Sequence, residues 1–210
     1  MTDNTSEILR LLREEYPNAK AQLDYKNAFE LLIAAVLSAQ CTDKRVNIVT
    51  ARLFEEYPTA EEMARLSPEE LEPYIKTCGL YHAKAKNIIG ACRMIVERFK
   101  GQVPRTMEEL VMLPGVGRKV ANVVLANAFD IPAIAVDTHV FRVSNRSGLA
   151  NASTVEKTEK QLMEKIPQDM WKDAHHILIF HGRQVCSAQR PKCDICRLKK
   201  LCKYYNEKQA

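Results

Sequence analysis

Apolar residues recur at helical spacing along nearly the whole chain. Between Ser6 and Tyr16 the run carries Ile8, Leu9, Leu11 and Leu12, and Pro17 stops it. Residues 27–40 are apolar almost all round, too rich in alanine for a strand and long enough for a central buried helix. Asp43 is placed to cap a helix through Val46, Val49, Leu53 and Phe54 that ends before Pro58. Ser67-Pro68-Glu69-Glu70 reads as a helix start, with proline in the first turn and acids facing the positive end of the dipole. Thr106, with Glu109 three residues on, reads as a capping box. Further helices are predicted over 119–129, 138–147, 154–166 and 169–184. Val103 and Ile131 stand beside prolines and offer no credible strand pairing. The pattern predicts an all-α chain whose C-terminus is closed by a loop held by cysteines. A domain boundary fits near Pro132–Ala135, and no fixed repeat, low-complexity tract or Gly/Ser linker interrupts the pattern.

Composition narrows the class. A length of 210 residues suits one domain or two small ones, and 46% hydrophobic with 27% charged residues is ordinary for a soluble globular protein. No apolar run is long enough to cross a bilayer, and the first residues lack a basic start followed by a hydrophobic stretch. An intracellular, cytosolic location is therefore expected, where disulfides are disfavoured.

The net charge of +5 is not evenly spread. Between Arg183 and Lys203 seven basic residues stand against one acid, Asp194, so this segment carries +6 and the rest of the chain −1. Basic side chains there, Arg190 and Lys192 among them, must point outward. An outward basic patch favours polyanions, with nucleic acid the first partner to consider and a merely solvated loop the alternative.

The same segment holds Cys186, Cys193, Cys196 and Cys202. Thiolates this dense can converge on one metal or iron–sulfur centre, although the spacing is neither that of a zinc finger nor that of a ferredoxin. Buried or disulfide-bonded cysteines are the alternative. Cys41, Cys78 and Cys92 are isolated within helical patterns, where packing is the default role.

A second stretch carries chemistry. One amphipathic helix is predicted to end at Leu113, Pro114-Gly115-Val116-Gly117 turns the chain, and a new helix opens with Arg118 and Lys119. Gly115 and Gly117 permit unusual backbone angles and a close approach. The N–H groups that open the following helix suit a single phosphate, held without reading any base. Lys119 sits where the dipole disfavours a cation, so it is either a surface lysine touching phosphate or, if desolvated, a nucleophilic amine. Downstream, Asp137 emerges from the apolar run Ile134-Ala135-Val136 and can cap the helix continued by His139 and Arg142. Such a carboxylate must cap, pair or catalyse, and capping alone could explain it.

Taken together, 113–119, Val136-Asp137-Thr138-His139 and the four-cysteine segment resemble the endonuclease III family of DNA repair glycosylases. The resemblance spans about residues 27–202 and includes Ser38-Ala39-Gln40-Cys41-Thr42-Asp43. It implies two helical domains flanking a DNA-binding cleft. One, over 22–132, contains a helix–hairpin–helix at about 106–125. The other joins 1–21 to 133–210 and holds a [4Fe-4S] cluster in the loop 186–202. Lys119 would attack C1′ of an oxidised pyrimidine nucleotide and expel the base, and β-elimination through the Schiff base would cut the strand 3′ to the lesion. Asp137 would assist base loss and proton transfer. Gln40 and Leu80 would fill the gap left by the extruded nucleotide, and His139 would lie near the active site. Without the resemblance, Gln40 reads as a polar helix end and Leu80 as a core contact. The implied partner is duplex DNA carrying oxidised pyrimidines or abasic sites, bound by a monomer in the nucleoid. Adenine-mismatch glycosylases are weaker matches, because they lack the lysine and carry a further C-terminal domain. A non-catalytic DNA-binding module and a zinc-stapled scaffold are the rivals from other classes.

Overall fold

The computed structural model describes residues 4–209. Every regular element among them is helical. The chain divides into two compact units, Ala21–Ile131 and a second made of Met1–Lys20 with Pro132–Ala210.

The first unit is built round α2 (Ala28–Leu37), in which Phe29 to Leu37 are all buried. A helix apolar all round can only sit inside others, and α2 packs against α3 (Asp43–Glu56), α6 (Tyr81–Phe99) and α8 (Arg118–Ala128). Its one acid, Glu30, stays inside because its side chain accepts from the Lys26 N–H at 2.7 Å, while Asn27 caps the Glu30 N–H at 2.9 Å. The cap of α3 is Thr42, whose Oγ1 accepts from Arg45 N–H, and not Asp43, which becomes the first helical residue. Two short helices, α4 (Ala60–Ala64) and α5 (Pro68–Ile75), pack on α6, and Ser67 with Glu70 forms a complete capping box. At α7 (Met107–Leu110) the box is half made. Thr106 Oγ1 accepts from Glu109 N–H and also donates to Glu109 Oε2, so the carboxylate turns to the hydroxyl instead of the backbone.

In the second unit α1 (Thr5–Glu15) buries Ile8, Leu9 and Leu12 against α11 (Trp171–Gln184). The rest of that core comes from Ile134, Val136 and the inner face of α9 (Thr138–Ser147), with α10 (Val155–Lys165) contributing Leu162. A last helix, α12 (Lys203–Gln209), follows the cysteine segment and packs on α9. Among the described residues no helix is long and apolar enough to cross a membrane.

His176 on α11 is 5% exposed, and burial, with positive charge from His175 and Lys172, pushes its imidazole down to about 3. The ring is thus neutral when folded, whereas the unfolded chain takes up its proton near 6.5. Between those values the unfolded chain binds more protons, so acidification costs stability by up to about 1.4 kcal/mol per pH unit. His176→Gln should flatten that acid-side loss, measured as the difference in melting temperature between variant and parent from pH 7 downward. Parallel curves would show that His176 does not contribute.

Candidate functional site

The turn between α7 and α8 is tighter than its sequence suggests. α7 ends at Leu110, and single turns carry the chain through Leu113 to Val116, whose N–H is taken by the Leu113 carbonyl at 3.0 Å. The Val116 side chain is buried and anchors the turn from below. Gly115 has φ +77, and a Cβ there would lie 2.9 Å from Asn87 Cβ on α6. A Cβ at Gly90, also on α6, would lie 3.2 Å from the Pro114 ring. The hairpin is therefore seated on α6 through two glycines, one on each side of the contact. Gly117 differs. Its φ of −88 is ordinary and a Cβ would meet nothing within 4 Å. It is the N-cap of α8 and supplies no side-chain oxygen to the first-turn N–H groups. Those donors and the positive end of the dipole face the same way, an anion site by construction. Arg118 and Lys119 follow in the first turn, and both side chains are exposed.

Gln40 and Leu80 occupy the left-handed region, at φ 53 and φ 59. Holding residues with side chains there costs about 1–3 kcal/mol each. Both are exposed, Leu80 to 60%, so it is no core contact. Their loops meet, since a Cβ on Gly79 would lie 3.3 Å from the Gln40 carbonyl. Leu80 is also the N-cap of α6, so the helix that seats the hairpin also carries this side chain.

In the other unit Asp137 is the N-cap of α9. Its Oδ1 accepts from the N–H groups of His139 and Val140, each at 2.8 Å, so capping engages one carboxylate oxygen. His139 packs on Gly182 of α11, where a Cβ would come within 2.9 Å of its own. Its Nδ1 accepts from Arg142 at 3.1 Å. Cys186, Cys193, Cys196 and Cys202 line a single cavity together with Arg146 and His181. Burial pushes the Cys196 thiol up to about 11 and raises Cys202 as well, with repulsion from the neighbouring cysteines added. His181 joins α1 to this cavity, with Nδ1 3.2 Å from the Tyr16 hydroxyl and Nε2 3.5 Å from Cys196 Sγ.

Comparison with known proteins decides the family. Residues 33–168 match the HhH-GPD superfamily of base excision DNA repair proteins. The chain is 48% identical to endonuclease III of Rickettsia felis over 96% of its own length and 94% of the relative's. It is likewise 48% identical to endonuclease III of Escherichia coli strain K12, over 94% of each chain. A solved structure of an endonuclease III trapped as a covalent intermediate with DNA, in an estranged-adenine complex, superposes with a TM-score of 0.94. Identity to it is 47%, and all of both chains is covered. The chain belongs to the endonuclease III family. It is thus a bifunctional base-excision enzyme, a DNA glycosylase and abasic-site lyase.

This endonuclease III family member carries two arginines on α9 whose role in holding the cysteine segment the sequence did not reveal. Arg142 donates to the Cys186 and Gly182 carbonyls, each at 2.9 Å, and Arg146, one turn on, donates to those of Ser187 and Ala188 at 2.7 and 2.8 Å. Two arginines four apart on one helix were the available signal. The basic segment also divides. Arg197 pairs with Glu14, Lys199 with Asp194 and Lys203 with Glu207. Arg190, Lys192 and Lys200 are exposed and have no ion-pair partner among the described residues.

The two hairpin glycines should respond differently to alanine. Gly115→Ala must strain φ and displace Asn87, so it should cost about 1–3 kcal/mol in denaturant unfolding. Gly117→Ala should cost about 1 kcal/mol or less, yet weaken binding to duplex DNA, because its bare backbone is what a phosphate approaches. Equal losses of stability would contradict this division.

Proposed function

We propose that Lys119 is the nucleophile and Asp137 the assisting carboxylate in the removal of oxidised pyrimidines from duplex DNA. The observation that carries the reading is the position of Lys119, an exposed amine in the first turn of α8 directly behind the turn seated on α6. A phosphate held on the α8 N-terminus puts the sugar of a neighbouring nucleotide within reach of such a side chain. Lys119 Nζ, as the free amine, attacks C1′, and the C1′–N bond to the base breaks. Loss of the sugar ring C–O bond gives the Schiff base, which acidifies the C2′ hydrogen. Its removal expels the 3′ phosphate. Asp137 serves the proton transfers through Oδ2, since Oδ1 is engaged in the cap. Extrusion of the nucleotide costs a few kcal/mol, less for a damaged base. Gln40 and Leu80, projecting and already strained, fill the gap, as wedges between bases do elsewhere.

The four cysteines suit a [4Fe-4S] cluster. Four thiolate donors within 186–202 supply the four ligands that such a cluster takes. All four line one cavity, so they can converge on one centre. When bound, the cluster contributes folding energy and stiffens the segment. Arg142 and Arg146 hold the backbone of that segment, and Arg190, Lys192 and Lys200 face phosphate.

Borohydride reduction on a duplex with one thymine glycol should trap wild-type protein covalently. Lys119→Gln should give no adduct and no strand cleavage while still binding; cleavage near the wild-type rate would remove Lys119 from the mechanism. Asp137→Asn keeps the capping oxygen and should melt within about 1 kcal/mol of wild type, while base release slows by about a hundredfold or more. A variant that loses mainly stability would leave capping as the whole role of Asp137. Lys192→Ala and Lys200→Ala should each lower the slope of log affinity against log salt by about 1, and Lys199→Ala by less. A brown preparation with visible absorption supports the cluster, and a colourless, zinc-loaded one refutes it.

A further inference from the structure

Two cysteines outside the C-terminal segment flank the strained positions: Cys41 follows Gln40, and Cys78 lies two residues before Leu80. Neither is bridged. Cys78 is fully buried and Cys41 partly exposed, so an external reagent reaches Cys41 first. The Cys41 and Cys78 side chains are near enough to act on one another, and the two loops touch backbone to backbone at Gly79 and the Gln40 carbonyl. Positive charge surrounds the pair. Lys84 is 4% exposed, donates from Nζ to the Leu37 carbonyl at 2.8 Å, and acts on both sulfurs, and Arg45 acts on Cys78. Packing accounts for Cys78. It does not account for a second, reachable thiol beside it; burial pushes the Cys78 thiol up to about 11, which the two cations offset only in part, so the partly exposed Cys41 is the sulfur that reacts first.

We propose that Cys41 and Cys78 form a reversible disulfide that clamps the Gln40 loop to the Leu80 loop and slows excision in oxidised protein. With a peroxide as oxidant, the Cys41 sulfur attacks one oxygen and the O–O bond breaks. Sulfenic acid forms at Cys41, and the departing hydroxide leaves as water with the thiol proton. The Cys78 sulfur then attacks the Cys41 sulfur, the S–O bond breaks, and a second water carries off the Cys78 proton. Two thiols thus give two electrons to one peroxide, and a dithiol reverses the step by exchange. Bonding brings the sulfurs to about 2.05 Å. Gln40 and Leu80, one and two residues away, move with them. The effect on excision rests on the gap-filling reading above; the disulfide itself does not.

The test treats the cluster-loaded protein with hydrogen peroxide, alkylates the remaining thiols and digests with trypsin, while visible absorption reports the cluster. A linked peptide joining 27–44 to 77–84 is expected, absent after dithiothreitol and from Cys41→Ser. Cleavage of a thymine glycol duplex should fall by about tenfold or more on oxidation and recover on reduction, and Cys41→Ser should keep its activity through the same treatment. Free alkylation of both thiols after peroxide, with the cluster intact, overturns the disulfide. A linked peptide with unchanged cleavage overturns the clamp. Reduced wild-type protein that cleaves no damaged duplex overturns the excision reading instead, and the peptide map then judges the disulfide alone.

Discussion

The close approach of the α7–α8 turn to α6 is the contact on which the first unit's working surface depends. At Gly90 the helix gives up a side chain so that the Pro114 ring can pack down, and at Gly115 the turn gives up its own beside Asn87. A glycine inside a helix costs about 1 kcal/mol relative to alanine, so its place in α6 is explained by this seat. Successive turns of the same helix do the rest. Leu80 is its N-cap, and Lys84 reaches the last carbonyl of α2. One rigid element thereby fixes the α7–α8 turn, the strained Leu80 and the end of the central helix. At about 1.5 Å rise per residue, Leu80 and Gly90 stand roughly 15 Å apart along it.

The second unit solves a different problem, that of ordering a polar, basic segment with little apolar content. Arg142 and Arg146 of α9 take four carbonyls along 182–188. Leu198 is the one side chain of the cysteine segment buried deeply in the core. Tyr16 and His181 bring the N-terminal helix to the same cavity. Backbone polar groups that would otherwise need water are held by guanidinium donors, which keep their charge at any physiological pH. Charge is sorted as well: Arg197, Lys199 and Lys203 are spent on ion pairs, and Arg190, Lys192 and Lys200 stay exposed without one among the described residues.

Strain is concentrated. Among the described residues, four other than glycine lie in the left-handed region: Gln40, Leu80, Lys100 and Asp130. Lys100 closes the C-terminus of α6, where that conformation is common. Gln40 and Leu80 close no such helix end; they are exposed and sit on touching loops. Side chains held out before a partner arrives meet their ordering cost during folding.

The sequence by itself determined the helical class and most helix positions, as well as the Ser67 and Asp137 caps and the family, because these depend on residues within a few places of one another. α9 spans Thr138–Ser147 as the periodicity predicts. Local reasoning failed where two neighbours compete. Thr42 and not Asp43 caps α3, and α7 stops at Leu110 and not at Leu113 because the chain must turn early to seat Pro114 on α6. Other facts lay wholly beyond it. Gly115, Gly90 and Gly182 are fixed by atoms of other segments while Gly117 is not. Leu80 faces out, its loop touches that of Gln40, and α1 packs on α11 some 160 residues away. Each depends on a contact between distant parts of the chain, and spacing along the sequence carries no information about which distant atoms will occupy the same space.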